Sequence, residues 1–103
     1  MSTIELRPIA NIARRYARKS IMTSTFNSSE GYEVIRTCYD DMVVVRYQPV
    51  YLMGSWVDVN QESAARANAF MAQVIADLEQ AGYVVTIPDD YDNSFRIEVR
   101  EAQ

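Results

Sequence analysis

A chain of 103 residues that is 49% hydrophobic can bury on the order of two-thirds of its unfolded surface, so one packed domain spanning 1–103 is expected. The formal charge of −4 is unevenly spread: residues 1–20 hold five of the ten cations against one carboxylate, Glu5, and the remainder holds five cations against thirteen carboxylates. There is no histidine and one cysteine, Cys38, which excludes Ser/His/Asp and Cys/His catalysis, the commonest zinc ligand and an internal disulfide framework.

At the N-terminus, Ile4 and Leu6 alternate with Thr3, Glu5 and Arg7, which allows a short first strand. Pro8 at a first-turn position, followed by Ile9, Ile12, Ala13 and Tyr16 at three- and four-residue spacing, predicts a short amphipathic helix. Arg14, Arg15, Arg18 and Lys19 fall opposite its apolar stripe, so the helix would present a basic ridge. The polar run Thr23 to Gly31 predicts a loop.

Tyr32 to Gln48 is rich in β-branched and aromatic residues and broken by Asp40-Asp41, the pattern of a hairpin. With those two residues as its turn, Cys38 faces Val43, Arg36 faces Val45 and Val34 faces Tyr47. Cys38 is then a buried small hydrophobe, and the reverse face, carrying Ile35, Tyr39, Met42 and Val44, is too apolar to be left wet.

Val50 to Val59, after Pro49, predicts a third strand weakened near Gly54. Asn60 as N-cap, the stripe Ala64, Ala67, Phe70, Met71, Val74, Ile75 and Leu78, and Gly82 as stop define a long helix over about 61–81. Tyr83 to Ile87 and the alternating Phe95, Ile97 and Val99 predict two closing strands around a turn-rich loop. The fold class is therefore α+β: an antiparallel sheet of four to five strands, the long helix across one face, and the short basic helix available for the other. An uncovered second face would offer a homodimer or partner surface.

Two segments stand out as contact surfaces. Arg14, Arg15, Arg18 and Lys19 could track nucleic-acid phosphates or meet an acidic protein, although cations at a helix C-terminus are also favourable without any partner. The acidic remainder of the chain opposes nucleic acid. Tyr47 to Trp56 gathers three aromatics and a Met, residue types enriched in protein interfaces, with Tyr51 and Trp56 as the expected contact residues.

From Asp90, the residues Asp92, Ser94, Glu98 and Glu101 keep the spacing of a calcium-binding EF-hand loop, but Phe95 stands where the sharp turn requires Gly, and the alternation from Phe95 to Val99 demands a strand. No metal, nucleotide or other cofactor motif is present, and no stretch approaches the roughly 18 apolar residues of a membrane span.

In general character the chain resembles small proteins encoded by bacterial viruses: compact, acidic, without motifs, and with nine Arg to one Lys. The resemblance covers the whole chain and rests on no diagnostic residue. It implies a cytoplasmic, non-enzymatic protein that binds and modulates or inhibits a host protein, including defence machinery. The alternative is a nucleic-acid-binding module using the basic N-terminal helix.

Overall fold

The computed structural model describes residues 3–21, 29–55, 58–88 and 95–102. Helix α1 (Leu6–Ala13) is followed by strands β1 (Gly31–Arg36) and β2 (Met42–Gln48), helix α2 (Gln61–Gln80), and strands β3 (Tyr83–Thr86) and β4 (Phe95–Glu101). The four strands form one antiparallel sheet in the order β1-β2-β4-β3, with α2 packed across it, an α+β architecture.

Period-two alternation decides which side of the sheet is apolar. Val43, Val45 and Tyr47 of β2 are buried on one face, next to Val34 and Tyr32 on β1 and Val99, Ile97 and Phe95 on β4. Phe70 of α2 lands on this face, its ring centroid 5.2 Å from Tyr47 and 6.3 Å from Tyr32. Ile4, Ile9, Ile12 and Ala13 complete the same core, so α1 lies beside α2 and not across the sheet from it.

The expected cover for the second face is therefore corrected. Among the described residues neither helix lies over it, because the apolar stripes of both helices belong to the one core cluster. The second face carries Glu33, Arg46, Arg96 and Glu98 alongside Ile35 and Val44, and Arg46 pairs with Glu33 at 3.7 Å. Charges that β4 contributes make this face more polar than the hairpin alone suggested.

Three local expectations also change. No strand forms at Ile4–Leu6: Leu6 opens α1, and the Ile4 N–H donates to the Asp40 carbonyl at 3.1 Å. The hairpin register slips by two residues, pairing Arg36 with Val43, Val34 with Val45 and Tyr32 with Tyr47. A two-residue Asp-Asp turn of the kind that fits twisted strands needs positive φ at both positions, and no described non-glycine residue has it. The connection is instead five residues, organised by the Thr37 hydroxyl, which accepts from the Tyr39 N–H at 3.0 Å and lies 3.0 Å from the Met42 carbonyl oxygen. Because the slip is an even number, the faces keep their composition. Cys38, expected to be buried, lies in this connection and is exposed.

The described residues of Val50 to Val59 do not join the sheet. They form a side loop closed by an isolated bridge between Tyr51 and Val59, with the Leu52 N–H donating to Asp58 at 2.7 Å and the Asn60 N–H donating to Val50 at 2.9 Å. Asn60 then caps α2, its Oδ1 accepting from the N–H groups of Glu62 and Ser63 at 3.0 and 3.2 Å. Replacing Asn60 with Ala removes that acceptor and is expected to lower stability by about 1 kcal/mol, read as a reduced urea midpoint with unchanged slope. An unchanged midpoint would show the cap to be dispensable.

Candidate functional site

The basic segment does not form a helical ridge. α1 stops at Ala13, with Arg14 as its C-cap, and the N–H groups of Arg15 and Tyr16 close tight turns back to Ile12 and Ala13. The chain then extends beside β1: the Tyr32 N–H donates to Arg18 O at 2.9 Å, and the Ser20 N–H donates to Tyr32 O at 2.8 Å, forming a parallel bridge at Lys19. Gly31 makes this crossing possible, since a Cβ there would sit 2.3 Å from the Arg18 carbonyl oxygen.

The four expected cations consequently have different roles. Arg15 Nη1 lies 3.1 Å from Asp77 Oδ2, which also accepts from the Tyr16 hydroxyl at 2.5 Å. The Tyr16 bond leads in holding the Asp77 carboxyl below its ordinary range, and the same bond raises the Tyr16 hydroxyl. Arg14, Arg18 and Lys19 are exposed and have no carboxylate partner among the described residues. The dipole argument also lapses, because no cation lies in the last turn of α1.

A second cluster, invisible to sequence inspection, sits next to this segment. Glu30, just before β1, accepts two hydrogen bonds from Arg66, Nε to Oε2 at 2.7 Å and Nη2 to Oε1 at 2.8 Å. It also accepts from the Ser63 hydroxyl at 3.0 Å and from the Tyr47 hydroxyl. Arg66, opposed by burial and helped by Tyr47 and Ser63, pulls the Glu30 carboxyl down to about 2. Burial first, and the Glu30 bond second, push the Tyr47 hydroxyl up to about 12. Ser63 and Arg66 can both reach Glu30 because three-residue spacing places them on one side of α2.

Glu30 and Arg66 line a cleft of about 340 Å³ between α2 and the extended segment. Tyr16, Ala17 and Arg18 line it from the extended segment, Phe70 and Gln73 from α2, and Tyr47 from β2. Neither Cys38 nor Lys19 lines it. Among the described residues there is no group of three or more acidic, Cys or His side chains able to hold a metal, and Phe95 to Glu101 is strand, which removes the EF-hand geometry. Asp90, Asp92 and Ser94 lie outside the described residues.

The side loop is joined to this cluster, since the Val50 N–H donates to Ser63 Oγ at 2.8 Å. Its tip is a type II turn in which the Ser55 N–H bonds to the Leu52 carbonyl at 3.0 Å and Gly54 takes φ of +80°, a value costly for any other residue. Four consecutive apolar residues are left in water there: Val50, Tyr51 and Leu52 are 44%, 38% and 48% exposed, and Met53 is fully exposed. Tyr51 is thus accessible to solvent; Trp56 lies outside the described residues.

Glu30 gave no warning because it sits in a polar run, whereas Ser63 offered a weak one. It occupies the core stripe one turn before Ala67 and two before Phe70 and is fully buried, a place where an apolar side chain is the rule. Among the described residues no helix is long and apolar enough to cross a membrane. No protein-family model matches the chain, and no curated protein or solved structure matches it significantly.

Proposed function

We propose that this chain is a non-enzymatic protein-interaction module that binds and modulates or inhibits a partner protein through the end of the molecule bearing the Val50–Met53 loop. The exposure of four consecutive apolar side chains on a hydrogen-bonded loop carries the reading. Apolar area held in water forgoes about 25 cal/mol per Å², which a partner's surface can recover. Tyr and Met suit that role, because each buries a large area and adapts to its neighbour.

The chemistry of the cleft supports the non-enzymatic part. General acid–base work favours groups that titrate near neutrality, whereas Glu30 is pulled down to about 2 and Tyr47 is pushed up to about 12. Both groups are engaged in holding α2 to the sheet. The phage-like character of the composition favours action in a host cytoplasm, on host or defence proteins.

Affinity capture from the native cell tests this reading, using the wild type beside a Tyr51→Ser/Met53→Ser bait. One specific partner should be enriched by the wild type and bound at least about tenfold more weakly by the variant, while the two unfold at the same urea midpoint. Equal capture by both baits, or no specific partner, would remove the loop from the function.

A further inference from the structure

We propose that the cleft beside Arg18 and Arg66 receives a carboxylate side chain of the partner, so that the segment bound is an acidic peptide whose apolar neighbours cover the Val50–Met53 loop. This inference rests on reading the chain as a protein-interaction module and specifies the chemistry of the partner.

The two surfaces are continuous. Val50, the first exposed residue of the loop, donates its N–H to Ser63, and Arg66 is one helical turn further along α2, a rise of about 5 Å. Glu30 accepts from both Ser63 and Arg66, so the loop base and the mouth of the cleft are fixed to one carboxylate. An extended peptide lying on the loop reaches the cleft within a few residues.

Charge then selects the occupant. The carboxylate in the cleft, Glu30, is already neutralised by a bidentate guanidinium, and Arg66 keeps 53% of its side-chain surface in solvent. Arg18 adds a cation whose side chain has no hydrogen bond or ion pair among the described residues, and Arg14 and Lys19 lie nearby in the chain. The opening of the cleft is therefore positive on a chain whose formal charge is −4. An acidic segment is drawn to this end, which orients the encounter. Basic and neutral segments gain no such steering.

A display selection of short random peptides against the wild-type protein provides the test, with affinities remeasured on Arg18→Glu and on Tyr51→Ser/Met53→Ser. Arg18→Glu suits this purpose because it removes no side-chain hydrogen bond or ion pair among the described residues. Selected peptides should combine Asp or Glu with an apolar residue, lose about tenfold or more in affinity on Arg18→Glu, and weaken as salt is raised from about 50 mM. Neutral or basic winners that depend only on Tyr51 and Met53 would overturn the acidic assignment and leave the interaction reading standing. Acidic winners indifferent to Arg18→Glu would remove the cleft as their site. If no peptide responds to either variant, both proposals fall. An oligonucleotide that binds more tightly than any peptide, in an Arg18-dependent way, would replace both with nucleic-acid recognition.

Discussion

Gly31→Ala is expected to be strongly damaging for so small a change, lowering stability by about 2–3 kcal/mol. The added Cβ would sit 2.3 Å from Arg18 O, 2.7 Å from Ser20 N and 3.0 Å from the Lys19 carbonyl carbon. All three are backbone atoms, so no side-chain rotation relieves the clash. Overpacking of this kind costs about 1–3 kcal/mol. If residues 18–20 lift away instead, the bonds between Tyr32 and Arg18 and between Ser20 and Tyr32 are lost, each worth about 0.5–1.5 kcal/mol. Urea unfolding measures the cost, and limited trypsin digestion locates it, because a released segment exposes Arg18 and Lys19 to cleavage. A variant with wild-type midpoint and cleavage rate would contradict the close crossing of residues 18–20 over β1.

Glu30→Gln should cost about 2–3 kcal/mol at neutral pH and should flatten the acid limb of the stability profile. The carboxylate satisfies Arg66, Ser63 and Tyr47 together, and hydrogen bonds involving a charged group are worth about 1.5–3 kcal/mol each, less where Arg66 is open to solvent. The sign of the pH effect follows from the depressed folded value. Glu30 titrates near 2 when folded and near 4.5 when free, so its contribution is complete above about 4.5 and is lost as the pH falls towards 2. Urea midpoints should therefore drop more steeply across that window for the wild type than for Glu30→Gln. Parallel profiles would show that Glu30 is not coupled to folding.

The roles of these two residues are not legible in the sequence. Gly31 looked like the end of a polar run, and Glu30 like one of its solvated members. Their roles come from chain segments far away or crossing in space: Arg66 is 36 residues from Glu30, and Arg18 reaches Gly31 only after α1 has ended early. Of the expected contact residues, Arg18 joined the cleft and Tyr51 stayed exposed on the loop, while Arg15 was taken up by Asp77. Side-chain type alone could not separate them, because an arginine on a periodic pattern is equally suited to a partner or to a carboxylate of its own chain.

Local patterning sufficed for the type of the six elements that form and for their apolar sides, though not for Ile4–Leu6 or Val50–Val59, where it favoured strands. α2 followed from its stripe, its Asn60 cap and Gly82, and the two faces of the β1–β2 hairpin survived a slip in register because side chains alternate with a period of two. The order β1-β2-β4-β3, the placement of both helices on one face, the isolated bridge between Tyr51 and Val59 outside the sheet and the assembly of the Glu30 cluster come from contacts between distant segments. Periodicity reports which side of a segment avoids water, a local property of the backbone repeat. Which neighbour covers that side, and which polar groups are paired beneath it, depends on contacts between residues distant in the chain.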